Sequence, residues 1–113
     1  MSVALAIMML GSPLAMPPPP DLVFGFHRMV VFQQRARELG CGAGDLDAQF
    51  EAIRKQLTRR YGKKAFAKPK MPPGGPGDCF VALPVYRANL ADFRKEAEAA
   101  LSGATPSAPT PAD

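Results

Sequence analysis

Residues 41–79 read CGAGDLDAQFEAIRKQLTRRYGKKAFAKPKMPPGGPGDC. Inside this stretch Leu46, Phe50, Ile53, Leu57 and Tyr61 recur at steps of four, three, four and four. That spacing lines one face of an α-helix with apolar side chains, so it predicts a helix over residues 46–61 with Asp45 at its start. Charge agrees with the direction of the helix. Asp45, Asp47 and Glu51 sit near its beginning, and Arg54, Lys55, Arg59 and Arg60 near its end. Each sign then faces the favourable pole of the helix dipole. Glu51 and Lys55 also form a favourable i,i+4 pair on paper. Gly62 stops the helix.

Working outward, a second helix is predicted on each side. Asp21 to Leu39 carries Leu22, Phe26, Met29, Phe32 or Gln33, Ala36 and Leu39 at steps of three and four. Val23, Phe24, Val30 and Val31 widen that stripe. Asp21 is expected to cap the first turn, and Gly40 to end the helix in a left-handed conformation. Gly25, costly within a helix, is expected to allow a close helix crossing. On the other side Leu90, Phe93, Ala97 and Leu101 predict a third helix that begins between Pro84 and Asn89, with Asn89 as its cap. Phe80 to Val85 is apolar and lacks a partner strand, so it is read as packing irregularly on the helices. The fold class is all-α, a small three-helix bundle with flexible, proline-rich ends.

The ends are read from composition. The chain holds 113 residues and 13 prolines, clustered at residues 13–20, 69–76 and 106–111. Residues 1–15 contain the apolar run VALAIMML (3–10) followed by GSPLA, the order of a signal peptide with cleavage after Ala15. No Lys or Arg precedes the run, which departs from the usual signal pattern. The run is too short to span a bilayer, which takes about 20 residues. Residues 16–20 (MPPPP) read as a stiff spacer, 21–102 as the helical domain, and 103–113 as a disordered tail rich in Pro, Ser and Thr. Roughly 80 residues remain for a core, a size at which small domains often need a staple.

Two cysteines allow one staple. Cys41 and Cys79 are expected to pair as a disulfide in an oxidising compartment. Their closed loop is worth roughly 4 kcal/mol on chain-entropy arguments. Together with His27 they supply three candidate metal ligands, one fewer than a structural zinc site uses. The glycines around Cys41 lack the preceding strand and the GK[ST] of a phosphate loop. A single histidine leaves no triad to assemble, and the carboxylates sit where capping explains them. No enzyme activity, metal or other cofactor is expected.

The strongest functional signal is charge. The net charge is +4, but residues 54–70 hold Arg54, Lys55, Arg59, Arg60, Lys63, Lys64, Lys68 and Lys70 and no acidic residue. This segment is the candidate anion-binding site. Two functions follow from it. The first is an exported, periplasmic or secreted accessory protein that contacts an acidic protein or a membrane surface. The alternative is a cytoplasmic module with reduced cysteines that binds nucleic-acid phosphate through the same residues.

Overall fold

A computed structural model describes residues 16–103. The expected signal segment at 1–15 and all but the first residue of the expected tail lie outside them. Three helices follow one another: α1 (Pro20–Glu38), α2 (Gly44–Tyr61) and α3 (Cys79–Leu101). Among the described residues there is no strand. α3 packs against both α1 and α2, so it is the central element of the bundle.

α1 begins one residue earlier than its sequence suggested. Pro20 takes the first helical position, where its missing N–H is no loss. Asp21 lies in the first turn without capping it; its negative charge still faces the positive pole of the dipole. The other end closes as expected. Gly40 adopts φ +73°, its N–H reaches Arg37 O at 3.1 Å, and the Cys41 N–H reaches Ala36 O at 2.9 Å. This pair of bonds is a Schellman stop, and it needs a residue that tolerates positive φ. It also fixes where Cys41 points.

The connection from α2 to α3 is held down by one face of α1. Gln34 donates to the Met71 and Pro72 carbonyls, at 3.1 and 3.2 Å. Arg35 donates to the Gly75 carbonyl at 2.9 Å and to that of Pro76. Glu38 accepts from the Gly74 N–H at 3.0 Å. A Cβ on Gly74 or Gly77 would collide with the Arg35 guanidinium, so the glycines admit this side chain. The segment therefore returns Cys79 to the end of α1, and the Cys41–Cys79 disulfide closes with Cα atoms 5.5 Å apart.

α3 corrects the sequence reading. It starts at Cys79, five residues before Pro84, and residues 80–85 are helical rather than irregular. Asp78 is the cap, with its carboxylate accepting from the Val81 N–H at 3.1 Å. Pro84 lies inside the helix, where its missing N–H leaves the Phe80 carbonyl without its usual partner. The Asp78 cap and the disulfide at the first helical residue hold the start in place. Asn89 caps nothing; its amide donates to the Val85 carbonyl one turn back at 2.8 Å.

α1 and α3 run antiparallel, since Cys41 meets Cys79 while Gly25 faces Phe93 and Glu96. A Cβ on Gly25 would stand 3.0 Å from a Glu96 oxygen and 3.4 Å from the Phe93 ring. The glycine thus permits the close crossing expected of it. The core gathers Leu22, Phe26 and Met29 from α1, Leu46, Phe50 and Leu57 from α2, and Tyr86, Leu90 and Phe93 from α3. Phe26 lies at its centre, with ring centroids of Phe66, Phe50 and Phe93 at 5.3, 5.7 and 6.4 Å.

Candidate functional site

After α2 the chain folds back over the bundle, and one side chain anchors it. Phe66 is wholly buried, between Phe26 and Tyr61. Its carbonyl accepts from Arg54 Nε at 2.8 Å. Two residues on, the Lys68 ammonium pairs with Glu51, which also meets Arg54 Nη1 at 3.3 Å. Gln33 Nε2 donates to the same carboxylate at 3.3 Å. Glu51 is thus bound to Arg54, Lys68 and Gln33, and not to Lys55 as helical spacing had suggested. Burial of Phe66 brings Lys68 across from the loop, while Lys55 points to solvent.

The eight cations of the predicted site therefore divide. Arg54 and Lys68 are structural ties. Lys55, Arg59, Arg60, Lys63, Lys64 and Lys70 are exposed, and none of these six enters an ion pair among the described residues. The folded-back segment forms a ridge with a cleft on either side. One cleft, of about 300 Å³, lies against α1 and is lined by Gln33, Gln34, Arg37, Lys68 and Lys70. The other, of about 380 Å³, lies against α2 and is lined by Arg54, Lys55, Thr58, Lys63 and Glu51. Arg59, Arg60 and Lys64 line neither; the Arg60 guanidinium stands 5.7 Å from the Tyr61 ring centre. Arg37 is the residue missed by reading the charge run, because it comes from α1 and only the fold brings it beside Lys70.

Beneath the ridge lies a polar knot that ties the three helices together. Tyr86 of α3 is buried and its hydroxyl donates to Asp47 Oδ1 of α2 at 2.6 Å. Gln33 of α1, also buried, donates to the same atom at 3.4 Å. Burial pushes the Tyr86 hydroxyl up, and the hydrogen bond to Asp47 pushes it further, so it stays a donor. Nothing in the sequence pattern marked this knot except that Gln33 falls on an apolar face. Asp47 had been read as a helix-start charge.

The carboxylates that hold the ridge and the connection to α3 make stability depend on acid. Burial pushes the Glu51 carboxyl up, but hydrogen bonds from Lys68 and Gln33 and the charges of Lys68 and Arg54 outweigh it. Its net position is below the ordinary value of 4.5. Glu38 moves the same way, chiefly through the Gly74 N–H. A carboxyl lowered in the folded state stabilises above its unfolded value, and that contribution is lost as pH falls through the folded one. Denaturant midpoints are therefore expected to drop as pH is lowered from 4.5. Glu51→Gln is expected to flatten that drop. An equally steep drop in the variant would place the acid sensitivity elsewhere.

His27 is exposed on α1, with its ring 5.8 Å from that of Phe26. Among the described residues no group of three His, Cys, Asp or Glu side chains is placed to hold a metal ion. No described helix is long and apolar enough to cross a membrane. Comparison with protein-family models, curated proteins and solved structures finds no match.

Proposed function

We propose that this protein is an exported helical binding protein that docks a phosphate-bearing surface, the anionic face of a membrane, through the ridge at residues 63–71. The carrying observation is the set of six exposed cations, without ion-pair partners among the described residues, arranged about a segment that Phe66 and Arg54 hold in place. Charges held on a rigid frame lose little entropy on docking, which favours their use as a contact. The Cys41–Cys79 bridge supports export, since such bonds persist in oxidising compartments and are rare in the cytosol. It speaks against the cytoplasmic nucleic-acid alternative, although phosphate is the common chemistry. The apolar run at residues 3–10, read as a leader, fits the same route.

The test is sedimentation with vesicles of phosphatidylcholine alone or doped with phosphatidylglycerol, across a salt series. Binding is expected only to the doped vesicles and is expected to weaken as salt rises. The variant Lys55→Gln/Lys63→Gln/Lys64→Gln/Lys70→Gln spares the structural ties Arg54 and Lys68. At about 1 kcal/mol per cation near an anionic surface, its affinity is expected to fall by several hundred-fold, to order of magnitude. Equal binding of the variant, or stronger binding to duplex DNA than to doped vesicles at the same salt, would reject the proposal.

A further inference from the structure

Hydrogen-bond donors line both walls of the cleft between α2 and the ridge, whose volume is about 380 Å³. Arg54, Lys55 and Thr58 come from α2, within about one turn of each other. Lys63 comes from the other wall, just after Gly62 turns the chain back at φ +98°. Arg54 is held in place by the protein itself. Its Nε donates to the Phe66 carbonyl at 2.8 Å and its Nη1 to Glu51 at 3.3 Å, which leaves Nη2 as the open nitrogen. A guanidinium fixed in this way gives up little freedom on binding. Lys55 and Lys63 are exposed and enter no ion pair among the described residues. Thr58 adds an uncharged hydroxyl, able to donate or to accept.

Glu51 is the one acidic side chain on this lining. Arg54, Lys68 and Gln33 already share its carboxylate, so its charge is neutralised within the frame. Asp47, one turn earlier on α2, is occupied by Tyr86 and Gln33. Residues 63–71 contain no acidic residue. The cleft on the α1 side is less well supplied. There the Gln33 amide is bound to Asp47 and Glu51, the Gln34 amide to loop carbonyls and Lys68 to Glu51, which leaves Arg37 and Lys70. We propose that the α2-side cleft seats a single phosphate ester group, with Arg54 Nη2, Lys55, Lys63 and the Thr58 hydroxyl as its donors. A tetrahedral oxyanion accepts from several sides at once, so donors on two walls suit it better than a flat carboxylate. The seat rests on the proposed membrane reading for its source, a glycerophospholipid headgroup; a free phosphate ester is the other source of the same chemistry.

The experiment is a titration of the oxidised protein with glycerol phosphate at constant ionic strength, read by amide chemical shifts in nuclear magnetic resonance. Saturable shifts centred on residues 54–67 are expected, with Kd on the order of millimolar. Acetate is expected to bind more weakly. Thr58→Val keeps every charge and is expected to weaken binding about tenfold, through loss of a hydrogen bond to a charged group. Lys63→Gln is expected to weaken it by a similar factor. Arg87→Gln removes the same charge from α3, away from the cleft, and is expected to leave binding as it is. Helical circular dichroism like that of the parent checks the fold of each variant. Thr58→Val is also expected to weaken sedimentation with phosphatidylglycerol-doped vesicles. Acetate binding as tightly as glycerol phosphate, or Thr58→Val binding glycerol phosphate like the parent, overturns the seat. Strong vesicle binding indifferent to Thr58→Val overturns the seat and leaves the membrane reading standing. Saturation by glycerol phosphate that Thr58→Val weakens, with no binding to doped vesicles, upholds the seat for a free phosphate ester and rejects the membrane reading.

Discussion

Replacing both bridge cysteines, Cys41→Ser with Cys79→Ser, is expected to lower the unfolding free energy by about 4 kcal/mol, the entropy of closing a loop of this length in the unfolded chain. The separation of 38 residues sets that figure. At 4–8 °C per kcal/mol for a domain of this size, the thermal midpoint is expected to fall by roughly 15–30 °C. The effect is large against the whole, because a domain of this size is only marginally stable. Local structure adds a second signature. Pro84 removes one helical bond close to the start of α3, and the disulfide is seated at the first residue of that helix. Amide exchange is therefore expected to rise first at residues 80–85 when the bridge is reduced. Thermal melts with and without reductant check the first statement, and a shift of only a few degrees would remove the bridge as the main staple.

Phe66→Ala is expected to cost about 3–5 kcal/mol, the usual range for deleting a buried aromatic ring. The side chain is 0 % exposed and touches rings from α1 and α2, while its own backbone belongs to the ridge. Its loss therefore has two consequences. The core around Phe26 is left with a cavity, and the Arg54 bond to the Phe66 carbonyl loses the anchor that holds it. Denaturant unfolding measures the first. Limited proteolysis with trypsin measures the second, with cleavage expected at Lys63 and Lys64 under conditions where the parent resists. Stability lost without new cleavage there would mean that the ridge is held by the Lys68–Glu51 pair and not by the ring.

The helical fold was largely legible because its cause is periodic. The steps of Leu46, Phe50, Ile53 and Leu57 placed α2, and all four are buried. Gly40 announced the end of α1 because one residue type alone suits that turn. The start of α3 was misplaced for the opposite reason. Pro84 is tolerated in a first turn and drew the boundary toward itself, although Asp78, six residues earlier, follows a proline- and glycine-rich break just as Asp21 and Asp45 do and supplies the cap. The candidate site was legible as composition only. The run of cations named eight residues, but whether a cation ties the structure or faces solvent depends on partners distant in sequence. Glu51 sits 17 residues from Lys68, and Gln33 sits 14 from Asp47.

By itself the sequence determined the three amphipathic segments, the glycine stop at the end of α1, the two cysteines available to each other and the position of the positive run. These follow from neighbour-to-neighbour physics: helical periodicity, capping, and the restrictions on glycine and proline. Only the tertiary structure decided that Phe66 turns the run back onto the core, that Arg54 and Lys68 are spent on structure while Arg37 joins the cleft, and that Gln33, Asp47 and Tyr86 share one buried knot. It also decided that Arg54, Lys55, Thr58 and Lys63 share one cleft. Each of these depends on which surfaces meet in space, and a buried polar group or an open cleft is defined by its neighbours across the fold, not by those along the chain.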